Sequence, residues 1–205
     1  MGYKGIPSAL RLLLIVCSVL VVTGSHAQQL LMRGAPRPID ELTREATDIV
    51  RGSVVSARVE PHPEFRNLRT LVVTLAVQET LKGNARRNFE FRQYLWDLRD
   101  QRGALKYRKG DQVLLLLGPV SPYGLRSPVG LEQGRFIIRR DASGLPVAEN
   151  GQANAGLFDS VEKRARSRGV ELPARSQALL RQGSRGAVSL EQLEATIRAL
   201  IKVTQ

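Results

Sequence analysis

The sequence predicts a mainly β protein: a small five-stranded barrel, with a short helix before it and a helical appendage after it. Three observations carry that expectation. Short runs rich in Val, Ile, Leu and Phe recur between Asp48 and Arg140, each bounded by Gly, Pro, Asn or Asp. One of them, "TLVVTLAV", alternates strictly enough to set Leu71, Val73, Leu75 and Val77 on one face and Thr70, Val72, Thr74 and Ala76 on the other. Near the C-terminus the period changes to that of a helix, with Leu190, Leu193, Ile197, Leu200 and Ile201 forming one apolar stripe.

The N-terminus precedes the fold. Lys4 and Arg11 stand before the apolar run Leu12 to Val22, and the small-x-small triplet Ser25-His26-Ala27 follows. A basic end, a short apolar run and a small-residue site describe a secretory signal peptide over residues 1–27. The run is shorter than the roughly 20 residues that span a bilayer, so a cleaved signal is expected rather than an anchor, with no transmembrane segment left after cleavage. The expected location is secreted or periplasmic. The single cysteine, Cys17, would leave with the signal, and His62 would be the one histidine remaining. Disulfides, thiolate metal sites and a Cys–His catalytic pair are thereby excluded from the expectation, and no cofactor is expected. The chain carries 31 Lys and Arg against 19 Asp and Glu, a formal +12. Such a charge attracts anions without specificity. An exported chain meets little nucleic acid, which is not expected as a partner.

Residues 28–38 read as a Pro/Arg/Gly tether. "IDELTREA" reads as a short helix with Leu42 and Ala46 on one face and Ile39 at its edge. "DIVRGSVVSARVE" is a β-branched strand with a bulge expected at Gly52, and "PHPEFRNLR" is a loop. "TLVVTLAV" is a long strand ending in the turn Lys82-Gly83. "NFEFRQYLW" alternates Phe89, Phe91 and Gln93 against Glu90, Arg92 and Tyr94. "DQVLLLLG", after Lys109-Gly110, is a short apolar run bounded by glycines and reads as a buried strand. "GRFIIRRDASG" is a last strand and a hairpin-like turn. These segments place the barrel domain at residues 39–148. Residues 149–205 are expected as a linker, "ENGQANAG", and a basic helical region. There "LFDSVEKRARSRG" turns Leu157, Val161 and Ala165 to one side and leaves Lys163, Arg164, Arg166 and Arg168 in water. "LPARSQALLRQGSRG" reads as polar and mobile. In "VSLEQLEATIRALI", Ser189 is the expected N-cap, Gln192 completes a capping box and Val188 staples to Leu193.

The order "ATDIVRGSVV", "VVTLAVQETLKG", "FEF", "YRKGDQVLLLLG" and a final strand resembles the N-terminal, netrin-like domain of the tissue inhibitors of metalloproteinases. It is also similar to a group of uncharacterised secreted bacterial proteins with the same pattern. The resemblance covers about Ala46 to Arg140, and the LKG and GDQVLLLL pieces carry most of it. It implies an OB-like barrel. It does not bring the family's inhibitory chemistry, which needs an N-terminal cysteine that this chain lacks.

Few residues point to chemistry. His62, between Pro61 and Pro63, reads as a solvated loop histidine, because a lone histidine lacks the convergent partners of a catalytic or metal site. Asp97, Asp100 and Asp111 interleave with Arg99, Arg102 and Lys109 and read as surface pairs. "GLEQGRF" precedes a strand, not a helix, and is a turn rather than a phosphate loop. Arg92, Tyr94, Trp96 and Arg99 form the candidate binding surface, aromatic and basic, as OB-folds use for ligands. The stripe Leu190, Leu193, Ile197, Leu200 and Ile201 is the candidate docking helix, unless the same chain covers it through Leu157 and Val161. The expected function is a secreted, non-catalytic binding module for an exported protein partner such as a protease. The alternative is an envelope protein that binds anionic surface polymers through its basic C-terminal region.

Overall fold

The computed structural model describes residues 35–95, 106–181 and 185–202. The expected signal peptide, residues 28–34 of the tether, Trp96, Asp97, Arg99, Asp100 and Arg102 lie outside them. Helix α1 (Ile39–Glu45) follows Pro38, and Ile39, Leu42 and Ala46 are all buried, as their spacing requires. Strands β1 (Asp48–Pro61), β2 (Arg69–Lys82), β3 (Asn88–Tyr94), β4 (Gln112–Leu117), β5 (Arg135–Arg140) and β6 (Pro146–Asn150) come next. Three helices follow: α2 (Val161–Ser167), α3 (Ala174–Arg181) and α4 (Leu190–Ile201). The two-residue strand β7 (Val188–Ser189) leads directly into α4.

The strands make one antiparallel sheet of seven, in the order β3-β2-β1-β4-β5-β6-β7. This corrects the expected five-stranded barrel. Closing β3-β2-β1-β4-β5 would need β3 to meet β5. Instead β5 takes β6 as its second neighbour, and β6 takes β7. The sheet is open, with β3 and β7 at its edges. What stands of the expectation is a mainly β chain with a helix before the first strand and helices at the end.

Two apolar clusters explain the strand sequences. On one side Ile49, Leu114, Leu116 and Phe136 pack with the helices through Ile39, Leu42, Leu157, Val161, Leu193 and Ile197. On the other side Val50, Val54, Leu71, Val73, Leu75, Phe91, Val113, Leu115 and Leu117 form a second cluster with Tyr107. Strand β4 alternates between the two, which is why it is apolar throughout. The register of β1 against β2 shifts between Arg51 and Gly52. A Cβ at Gly52 would stand 2.5 Å from the Ala76 carbonyl oxygen, so the bulge requires glycine there. After β2, Lys82 Nζ donates to the Thr43 carbonyl at 2.9 Å and to that of Arg44 at 3.3 Å. A cation thus sits at the C-terminal end of α1, where the helix exposes its carbonyls. Gly83, at φ +84°, then turns the chain.

The C-terminal third is not an appendage. Residues Pro36–Gln205 form one compact unit, and the boundary expected at 148/149 falls inside β6. The expected linker is held by a reciprocal pair of buried asparagines. Asn150 N donates to Asn154 Oδ1 at 3.0 Å, and Asn154 N to Asn150 Oδ1 at 2.9 Å. Asn154 Nδ2 also donates to the carbonyls of Ala148 and Gly186, at 3.0 and 2.8 Å. "LPARSQALLRQ" is not a polar coil either: it contains α3, with Leu172 and Leu179 buried. Leu157, Val161 and Ala165 share a buried face as expected, but Arg164 is not simply in water. Its guanidinium grips the buried carboxylate of Asp40 at 2.9 and 2.8 Å, and Arg168 reaches the same group at 3.3 Å. At α4, Ser189 Oγ accepts from Gln192 N at 3.4 Å, the expected cap in a long form. Val188 pairs with Ala148 through its backbone, and its side chain packs against the cluster that contains Leu193. Among the described residues no helix is long and apolar enough to cross a membrane.

Candidate binding surface

One end of the sheet gathers three segments: the β1–β2 loop, the last residues of β3 and the long β4–β5 loop. Their joints are polar and buried. His62, expected in water, is 4% exposed. Its Nδ1 accepts from the backbone N–H groups of Glu64 and Phe65, both at 3.2 Å. Two donors on Nδ1 place the ring proton on Nε2, which donates to the Tyr123 carbonyl at 2.8 Å. His62 is therefore a rivet between loops 61 residues apart, with neither nitrogen left for acid–base work or a metal. The flanking prolines remove two competing N–H groups and hold the backbone extended. On the other loop, Ser121 N donates to the Leu125 carbonyl at 2.7 Å and Arg126 N to the Arg92 carbonyl at 2.8 Å.

This frame holds aromatic rings in water. Phe65 stacks on the His62 ring at 5.1 Å and meets Tyr123 edge-on at 5.6 Å. Phe65 is 44% exposed, Tyr123 59% and Val120 57%. Beside them Arg66 and Arg69 are exposed and have no carboxylate partner among the described residues. Aromatics presented on a stiff frame lose little entropy on binding, and they are the usual anchors of protein interfaces.

The residues expected from sequence fall as follows. Arg92 lies at this end, but its guanidinium is a brace: it donates to Thr70 Oγ1 at 2.7 Å and stands 3.5 Å from Glu60. Tyr94 is half-buried at the end of β3, opposite Thr70. Trp96 and Arg99 lie outside the described residues. Glu60 is held below the usual carboxylate range, chiefly by the hydrogen bond from Arg58 and further by Arg92, against a smaller upward push from burial. Leu190, Leu193, Ile197, Leu200 and Ile201 are all inside the core, at most 8% exposed. They are covered by the same chain and offer no docking face. Phe65 and Tyr123 carry the surface, and composition or periodicity does not single them out. The available signals were "PHP", a rigid turn around a histidine, and "SPYG", a tight turn that exposes its tyrosine.

A second concavity, a groove of about 620 Å³, lies between the start of α3 and α4. Ala195 and Ala199 line its floor; Arg175, Arg198 and Lys202 stand around it. Arg175 pairs with Glu191 and Arg198 with Glu79. Asp111, expected as a surface pair, instead accepts from Arg108 N at 3.0 Å within its turn. Among the described residues no group of three or more His, Cys, Asp or Glu could hold a metal ion. Comparison with protein-family models, with curated proteins and with solved structures found no match to this chain.

Proposed function

We propose that this chain is an exported, non-catalytic binding module that engages another exported protein, such as a protease, through the aromatic end of its sheet. The observation that carries the reading is the exposed Phe65–Tyr123 pair, held by a buried histidine that bonds both loops. The OB-like resemblance remains part of the proposal as a scaffold whose closure is replaced by extra strands. Its support is that the four quoted segments and the final strand lie side by side, β3-β2-β1-β4-β5, in one antiparallel sheet. The second reading, an envelope protein that holds anionic polymers through its C-terminal cations, has less support. Arg164 and Arg168 are paired with Asp40, Arg166 with Glu162, Arg175 with Glu191 and Arg198 with Glu79.

The test is recovery of partners from the secreted and periplasmic fractions of the native host, with wild type and the Phe65→Ala/Tyr123→Ala variant. Truncating two anchors should weaken a true partner by about 2 kcal/mol or more, roughly thirtyfold in Kd. The melting temperature should change little, because both rings are half in water. Recovery of the same proteins by both forms would remove this surface. Recovery that collapses in moderate salt for both forms alike would favour the polymer reading.

A further inference from the structure

Strand β3 is an edge of the sheet, and its outward-facing backbone can be read residue by residue. Val77 N donates to the Arg87 carbonyl at 2.8 Å, and Leu95 N to the Arg69 carbonyl at 3.4 Å. Odd-numbered residues therefore direct their backbone groups at β2. In an antiparallel strand the N–H and C=O of one residue point the same way, so Asn88, Glu90 and Arg92 point away from β2. The bond from Arg126 N to the Arg92 carbonyl confirms that parity. It also sets the backbone of the β4–β5 loop beside Arg92, so the open stretch of this edge is Asn88 to Glu90. The N–H and C=O of Asn88 and Glu90 have no further partner among the described residues. The Glu90 side chain does not screen them: it lies across the sheet on Arg58 at 3.2 Å and Thr74 at 3.1 Å.

We propose that this edge takes an extended segment of a partner protein as an additional strand, with acidic residues flanking the paired stretch. The inference rests on the binding-module reading and adds main-chain pairing to its aromatic anchors. The edge ends at Arg92, where the loop that carries Tyr123 is bonded, so a strand laid on β3 runs toward the exposed rings. Acidic flanks follow from Arg86 and Arg87, both exposed at the other end of β3 and without carboxylate partners among the described residues, and from the formal +12 of the chain. A second copy fits worse. The antiparallel register that pairs the open residues sets Asn88 against Glu90 of the other copy and Arg86 against its Arg92, a directly opposed like-charge pair.

The probes are two peptides, DDVTVTVDD and KKVTVTVKK, blocked at both termini and added to the full chain purified from its native compartment. Amide hydrogen exchange at Asn88 and Glu90 is the readout. The acidic peptide should slow exchange at these two amides, and the basic one should not. Glu90→Pro should weaken the acidic peptide about tenfold, the loss of one to two main-chain hydrogen bonds. Its own fold should survive, because proline is tolerated on an edge strand where the N–H faces water. Arg86→Glu with Arg87→Glu, at two exposed positions, should reverse the preference between the peptides. The inference falls if the acidic peptide leaves the Asn88 and Glu90 amides unprotected, if both peptides bind alike, or if Glu90→Pro binds unchanged. It also falls if the protein alone protects these amides with rising concentration, which would give the edge to a second copy. Should the edge tests fail while Phe65→Ala/Tyr123→Ala still loses its partner, the module reading stands without the added strand.

Discussion

At the scale of single residues, the fold depends on positions where only one side chain fits. Gly83 is the sharpest. Its φ is +84°, and a Cβ there would run into the Asp48 carboxylate and come within 2.8 Å of the Thr47 carbonyl oxygen. That carboxylate is committed, holding Arg126 at 2.6 Å and Asn84 N at 3.2 Å. Gly83→Val adds about 1–3 kcal/mol of backbone strain and also displaces the Asp48 contacts. At about 2–4 °C per kcal/mol for a chain of this size, the melting temperature should drop measurably. Gly118→Ala is the fair comparison, because its Cβ would meet Ser127 O at 3.5 Å and nothing closer. Gly151, in the stretch expected as a linker, is no neutral site: a Cβ there comes 2.6 Å from that of Glu132. If Gly83→Val and Gly118→Ala melt together, the steric account of the Lys82-Gly83 turn is wrong. The Gly83 turn was legible in sequence because glycine marks positive φ locally. The Asn150–Asn154 pair was not, since an asparagine in a polar stretch looks the same whether it is solvated or buried.

Among the elements, those with strong local signals were found and those that depend on their neighbours were missed. Helix α4 shows its 3.6-residue stripe and its cap in sequence alone. Strand β4 announces its burial by a short apolar run bounded by glycines. Helix α3, "ARSQALLR", shows little amphipathic contrast, and β6 is five residues of "PVAEN"; both owe their state to what they pack against. Barrel closure could not be read from strand sequences, because it depends on which edges meet, and β6 decides that for β5. Phe65 and Tyr123 meet only because two loops far apart in the chain are joined at His62. The fate of the α4 stripe gives a test at this scale. Leu193 and Ile197 are fully buried, so Leu193→Ala should destabilise the protein by about 2–5 kcal/mol. Leu193→Asp with Ile197→Asp would bury two carboxylates with no partner and exceed a typical net stability of about 5–15 kcal/mol. The double variant should show no cooperative melt. If it melts like wild type, α4 is not part of the core.

For the molecule as a whole, charge joins the helical layer to the sheet. Arg51 on β1 reaches Glu79 on β2 and Glu194 on α4, each at 2.8 Å. Arg198 on α4 returns to Glu79 and stands 3.6 Å from Glu194. Two arginines and two carboxylates thus close a ring over the sheet and α4. The hydrogen bond from Arg51 is the main reason the Glu79 carboxyl sits below the usual range; Arg198 adds to it, and burial opposes it. At Glu132 burial pushes upward, but Arg135 and Lys106 outweigh it and the carboxyl is again lowered. A carboxyl lowered in the folded state binds fewer protons there than in the unfolded chain. Its stabilising contribution is complete above the unfolded value, about 4.3 for Glu, and is lost as pH falls toward the folded value. Glu45 and Glu60 shift the same way but lie in water, where screening leaves them little effect. The melting temperature should therefore be nearly flat from about pH 7 down to about pH 5 and fall below about pH 4. Glu79→Gln should lower the plateau and shallow the acid limb, because the variant has no proton to take up at that site. Arg51 and Arg198 would still hold Glu194, so part of the ring survives and the plateau loss stays modest. Thermal melts of both forms from neutral to acid pH decide it: parallel acid limbs would show that the ring carries no pH-dependent stability.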